Sequence, residues 1–268
     1  MPEADNYVVS TAATDPIDPA HNRPAFLTDR ALGLLEEYAV VGGLVWLLVL
    51  ALPNVCVAEP MVLERDFRAL LRPASLGGVA LAFGAAGLAH GFDDKLSGRV
   101  DHPVLEPVLD FGNFYFGTRH SVGSVVGVWG LSKMAGMEEV HATSGEVLRA
   151  LLLANALVGP LKLAVGRTRP DGSNDHSFPS GHSANAFAIS TVLGRRYGRE
   201  VGVPLFALAG TVPVARIRDR HHFFSDVVAG SILGVVAGWA VVGREGQEVV
   251  LAPVYGDGGW AMQIAWRY

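Results

Sequence analysis

Cysteine is nearly absent: Cys56 is the single one in 268 residues, which excludes an intrachain disulfide framework. Charge is sparse as well, at 18% of residues with a net charge of −5, and the arginines cluster around a few short motifs. Nucleic-acid binding therefore has little support. Internal repeats and long low-complexity segments are also missing. Apolar residues are what the chain has in quantity. Half of the residues are hydrophobic and the mean hydropathy is +0.31, more apolar than an ordinary soluble enzyme, in a length that suits one large domain. Membrane association becomes a live reading.

Along the chain, residues 1–30 are polar and rich in Pro, Asp and Ala without a sustained apolar period, the composition of a disordered leader. Residues 31–58 contain an apolar run at 39–52, followed by Cys56-Val57-Ala58, small residues of the kind a signal-peptidase site wants. Glu36-Glu37 precedes the run where a signal peptide prefers positive charge, so signal peptide and membrane anchor both stay open.

Residues 59–245 read as an all-α helical bundle. Six apolar, Gly- and Ala-rich stretches, at 74–89, 121–136, 147–165, 183–194, 201–214 and 226–242, each predict a helix. Thr143 and Glu146 have the spacing of a capping box for the third, and Gly159-Pro160 should kink it just before Lys162. Most stretches fall short of the roughly 20 residues needed to cross a bilayer upright, so tight packing competes with spanning. In residues 246–268, strict alternation through Trp260, Met262, Ile264, Trp266 and Tyr268 after Gly256-Asp257-Gly258-Gly259 predicts a C-terminal β-hairpin. Two strands are marginal alone, so the hairpin needs the helical body, a membrane or a partner. A docked hairpin is preferred to a last outer-membrane strand, since everything before it is helical.

Three short motifs carry the chemistry. Lys162 is followed after six residues by Arg169-Pro170; then comes Pro179-Ser180-Gly181-His182; then Arg216, with His222 six residues on and Asp226 four beyond. Singly, an Arg-Pro is usually a helix end and a Pro-Ser-Gly a turn and cap. Together they supply what a metal-free phosphoryl-transfer site needs. A phosphoryl group in transfer spreads negative charge over its equatorial oxygens, which guanidinium, ammonium and backbone N–H donors can meet. Lys162, Arg169 and Arg216 fit that clamp, arginine giving forked contact and lysine a point charge. Ser180 reads as the N-cap of a helix whose first N–H groups attract an anion, and Gly181 lets the backbone come close. His222 and Asp226, four apart, share a helix face, so the carboxylate can orient an imidazole that attacks. His182 remains for proton transfer to the leaving oxygen. Arg167, Arg169, Arg216, Arg218 and Arg220 make an iron facial triad unfavourable by repulsion. His176, His221, Asp171 and Asp175 have no motif position and read as loop or rim residues.

This set resembles the type 2 phosphatidic acid phosphatase and vanadium haloperoxidase superfamily, over roughly residues 146–243. Lys162, Arg169, Pro170, Pro179, Ser180, Gly181, His182, Arg216, His222 and Asp226 match its signature, and Ala215 stands where the family usually has serine. The resemblance implies a helical fold, a phosphohistidine at His222, His182 as general acid, and neither metal nor other cofactor. The expected function is a phosphatase acting on a phosphate ester or diphosphate, of phosphatidate or polyprenyl diphosphate type, at a membrane. Alternatives are a soluble periplasmic acid phosphatase, a vanadate-dependent haloperoxidase and a non-enzymatic lipid-phosphate-binding module. If the helix after His182 leaves the site and the next returns, Arg195, Arg196 and Arg199 lie at the far end, and the positive-inside tendency puts the site on the periplasmic or exterior side.

Overall fold

All six apolar stretches fall in helices; each helix begins before the run that announced it, and the one expected at 121–136 ends at Met134, two residues short. The computed structural model describes residues 59–96, 105–242, 248–256 and 259–267, the last two by backbone alone; the segments expected at 1–30 and 31–58 lie outside the described residues. In chain order the helices are α1 (Glu59–Leu70), α2 (Pro73–His90), α3 (Asp93–Leu96), α4 (Glu106–Tyr115), α5 (Thr118–Met134), α6 (Glu138–Val165), α7 (Gly181–Tyr197), α8 (Arg199–Arg218) and α9 (Phe224–Val242). The expected hairpin is present as β1 (Glu248–Gly256) and β2 (Gly259–Arg267), antiparallel, with Tyr255 opposite Trp260 and Val249 opposite Trp266, and β1 running beside α2.

Two sequence expectations are corrected. Thr143 does not open a helix: α6 starts at Glu138, its first turn carries Glu138 and Glu139 at the positive dipole end, and Thr143 Oγ1 donates back to the Glu139 carbonyl at 2.8 Å. The helix also runs through Pro160 for 28 residues, ending at Gly166 with φ of 55°, the left-handed position that closes a helix. With α2, α8 and α9 it makes four helices, among the described residues, long and apolar enough to cross a membrane, so four of the six expected stretches lie in helices of spanning length.

At the centre α7 lies between α6, α8 and α9. Its contact with α9 is backbone-close because α9 presents a glycine every fourth residue. A Cβ on Gly230 would come within 2.2 Å of the Ser180 carbonyl oxygen, one on Gly234 within 2.2 Å of that of Ala184, and one on Gly238 within 2.6 Å of Thr191 Cβ. Polar side chains inside the bundle are satisfied mutually. Asn185 on α7 donates to Thr118 Oγ1 and the Phe116 carbonyl and accepts from Asn155 Nδ2 at 2.9 Å, linking α5, α6 and α7. Asp66, fully buried on α1, accepts from Arg149 Nε of α6 at 2.7 Å. A buried pair of this kind costs several kcal/mol if one partner is removed, roughly 3–5, so it fixes how α1 sits on α6.

Candidate active site

Four helix ends meet at one end of the bundle: the C-termini of α6 and α8 and the N-termini of α7 and α9. The connecting loops are stitched by their backbones. Ser180 N–H donates to the Asp226 carbonyl at 3.0 Å, Asp171 N–H to that of Arg220 at 3.0 Å, and Ser177 N–H to that of Arg167 at 2.9 Å. After α8, the N–H groups of His221 and His222 turn back onto the Arg216 carbonyl at 3.1 and 3.2 Å, which holds His222 close beneath Arg216. Arg195, Arg196 and Arg199 lie at the opposite end, as the chain direction requires.

The three expected cations are here, two of them deeply placed. Lys162 is buried and its Nζ donates to the His176 carbonyl at 2.6 Å. Arg216 is buried and its Nη1 donates to Asn113 Oδ1 of α4 at 2.6 Å, while Asn113 Nδ2 donates to Asp219 at 2.7 Å. Thus Arg216 takes support from α4, and Ala215, fully buried, contributes no hydroxyl. Arg169 is partly exposed at the mouth. The charges of Lys162, Arg169 and Arg216 all act on both His182 and His222. Ser180 caps α7, its Oγ accepting from Ser183 N–H at 3.5 Å and from Ser183 Oγ at 3.2 Å. A Cβ at Gly181 would meet Val158 at an ordinary 3.8 Å, so internal packing does not demand glycine there.

His222 and Asp226 come together differently from the sequence expectation. His222 Nδ1 lies 3.7 Å from Asp226 Oδ2, beyond hydrogen-bond length, and the ring also interacts with the Ser177 backbone. The carboxylate is occupied otherwise. Oδ1 accepts from Arg167 Nη1 at 2.7 Å, and Oδ2 accepts from Phe223 N–H at 2.9 Å and from Ser177 Oγ. An acid in the first turn that reaches back to the N-cap N–H is half of a capping box, which explains why Asp226 faces its own helix start. Asp93 of α3 completes that start from outside: its Oδ1 accepts from Ser225 N–H, and its Oδ2 from Ser225 Oγ and Arg167 Nη2, all at 2.8 Å. Arg167 therefore bridges two buried carboxylates while stacking 3.9 Å over the Phe223 ring.

Burial, reinforced by Lys162, Arg216 and Arg169, holds the His222 imidazole well below its ordinary value and hence neutral. Burial pushes the Asp93 carboxyl upward, but hydrogen bonds from Arg167, Ser225 and His90 outweigh it and hold the group below the usual carboxylate range.

Sequence reasoning missed Arg167, Ser177, Asp93 and Asn113 as parts of the site. Arg167 was visible only as cation density. Of the residues read as loop or rim, His221 does sit at the rim, 3.6 Å from Asp171, and Asp175 accepts from Thr168 at 2.7 Å. His176 lies on the loop between α6 and α7, as read, but is buried there, and its carbonyl receives Lys162. Arg218 is engaged with Asp110 and Asp219 at 2.6 and 2.8 Å, away from any ligand role. Among the described residues, no three His, Cys, Asp or Glu side chains converge as a metal site. The arrangement offers a neutral buried imidazole beside three cations and a helix N-terminus, a donor set that matches a tetrahedral anion.

Comparison with known proteins agrees with the family resemblance. The model of the PAP2 superfamily matches residues 145–246, so the resemblance drawn from the motifs holds for that segment. The chain is 36% identical over 101 residues to a lipid A 1-phosphatase of Porphyromonas gingivalis, covering 35% of this chain and 23% of that one. It is 33% identical over 107 residues to a lipid A 1-phosphatase of Rhizobium etli, covering 33% and 43%. The chain thus spans less than half the length of these curated relatives. Among solved structures, LpxE of Aquifex aeolicus is similar at 23% identity and a TM-score of 0.46, over 55% of this chain and 90% of that one.

Proposed function

We propose that the PAP2 superfamily segment, residues 145–246, is the catalytic part of a metal-independent phosphatase that removes a phosphate from a lipid through a phosphohistidine at His222. The observation that carries this reading is the buried, neutral His222 set among Lys162, Arg169 and Arg216 at the N-terminus of α7. The cations and the first N–H groups of α7 hold the non-bridging oxygens, and they bind most strongly when charge builds on those oxygens. His222 attacks phosphorus, and His182 gives a proton to the leaving oxygen and later takes one from water. Asp226, fixed by Arg167, Ser177 and the Phe223 N–H, supports the imidazolium that phosphorylation creates without contacting it directly.

Support for a lipid substrate is the four helices of membrane-crossing length around a site at their end, together with two lipid A 1-phosphatases among the similar proteins. Arg195, Arg196 and Arg199 at the opposite end favour a site facing away from the cytoplasm. The test is phosphate release by purified protein in detergent, screened over lipid phosphates, polyprenyl diphosphates and soluble phosphomonoesters. Preference for the lipids is expected; turnover of soluble esters alone would assign a non-specific acid phosphatase instead.

A further inference from the structure

We propose that the corner joining α4 to α5 is a leaving-group subsite: Gly117 lets the corner come close to His182 Nε2, and His120 with Phe114 contacts the departing alcohol of an amphiphile. The proposal rests on the phosphohistidine reading above. In-line displacement puts the attacking and leaving atoms on opposite sides of phosphorus, and with His222 attacking, the leaving oxygen lies on the side of His182. Whatever stands beyond His182 Nε2 therefore meets the alcohol.

That position belongs to Gly117. A Cβ there would lie 3.2 Å from His182 Nε2, 3.4 Å from the Phe114 carbonyl oxygen and 3.6 Å from His120 Nδ1, so both imidazoles approach this point and any side chain would press on His182. Gly117 has φ of −58° and ψ of 142°, a conformation open to any residue, so the backbone does not require glycine. What the missing side chain does is let the α4–α5 corner come close to the proton donor without displacing it. His120 is exposed, and its ring packs on Phe114 with centroids 4.0 Å apart. On α4, Leu109 and Gly112 face the core, while Asp110 and Asn113 are tied to the end of α8. This leaves Val108, Phe111 and Phe114 uncovered, Phe114 at 63% exposure. An imidazole next to the ester oxygen with aromatic rings beyond it suits an alcohol whose polar groups lie near the ester and whose body is apolar.

The two half-reactions make the subsite separable from the rest of the site. In the first, the bond from phosphorus to the leaving oxygen breaks as the bond to His222 forms, and the oxygen takes the His182 proton. In the second, water attacks phosphorus, its proton goes to His182, and the bond to His222 breaks to release inorganic phosphate. The alcohol has gone by then. Phe114→Ala should lower kcat/KM for a long-chain lipid phosphate in mixed micelles roughly tenfold, the scale of losing one apolar contact, and change it less than about twofold for glycerol 3-phosphate, whose leaving alcohol has no apolar body to reach the ring; His120→Ala, beside the ester oxygen, should lower both. Hydrolysis of the isolated phosphohistidine should keep its wild-type rate. Equal losses of Phe114→Ala on both substrates, or slower hydrolysis of the intermediate in either variant, would overturn the subsite, because the variants would then be acting through His182. If wild-type protein turned over neither ester, the phosphatase reading would fall, and the subsite with it.

Discussion

Replacing Arg167 by methionine removes one guanidinium that serves two buried carboxylates, and the consequence can be worked out from their remaining partners. Asp93 keeps Ser225 N–H, Ser225 Oγ and His90; Asp226 keeps Phe223 N–H and Ser177 Oγ. Breaking a buried ion pair costs about 3–5 kcal/mol, and these surviving bonds place the loss near the low end, about 3 kcal/mol. In a chain of this size that corresponds to a fall in Tm of roughly 6–12 °C, read by thermal unfolding in detergent. The sign with pH follows from Asp93, whose folded carboxyl is held below the usual carboxylate range by its hydrogen bonds from Arg167, Ser225 and His90. A depressed acid contributes stability above its unfolded pKa and loses it as pH falls through the folded one. The gap in Tm between wild type and Arg167→Met should therefore be widest near neutral pH and narrow below about 3.8. Turnover should fall too, since Asp226 loses the cation that holds Oδ1. Adding Asp93→Asn should recover stability without recovering turnover. A variant that melts and turns over like wild type would refute the bridging role of Arg167.

His222→Ala should abolish release from every substrate, while His182→Ala should retain some activity on an aryl phosphate, whose leaving group needs no proton; acid-labile phosphate trapped on His222 during turnover checks the assignment. Because burial and then the three cations hold the His222 imidazole below 6.5, the acid limb of kcat/KM should lie below that pH and move upward in Lys162→Met. Arg216→Ala should lower turnover about a hundredfold or more and weaken vanadate inhibition in parallel, since vanadate resembles the transition state; chelators should leave the rate nearly unchanged. With Cys56 replaced, cysteine introduced at the exposed Ser173 should react with an impermeant thiol reagent in intact spheroplasts, and protection until lysis would reverse the proposed orientation.

The site was legible where its logic is local and illegible where it is not. Spacing alone pairs Lys162 with Arg169 and His222 with Asp226, and a polar N-cap before an apolar run marks Ser180. Nothing in the sequence joins Arg167 to Asp93, 74 residues away, or Arg216 to Asn113, 103 residues away, because those hydrogen bonds exist only after the helices pack. The same division runs through the fold. Long apolar runs announce six helices, whereas α1 carries charge along its length and α4 holds Pro107 and Gly112, so neither has a run to see. The direct His222–Asp226 bond failed for a related reason: helix periodicity sets which face a side chain takes, but the first-turn N–H groups compete for the carboxylate.

The seam between α7 and α9 is lopsided in what it asks of each helix. α9 contributes the absence of side chains at Gly230 and Gly234; α7 contributes main-chain oxygens at Ser180 and Ala184, which every amino acid possesses. A methyl group on the α9 side meets a carbonyl at 2.2 Å, an encounter that no rotamer change can relieve. The helices would have to part, and the first casualty would be the 3.0 Å bond from Ser180 N–H to the Asp226 carbonyl, which binds the anion-receiving helix to the one that carries Asp226. The gauge of the proposed site is thus written by hydrogen atoms on a helix seam away from its side chains, and a single added carbon there is a change of dimension, not of chemistry.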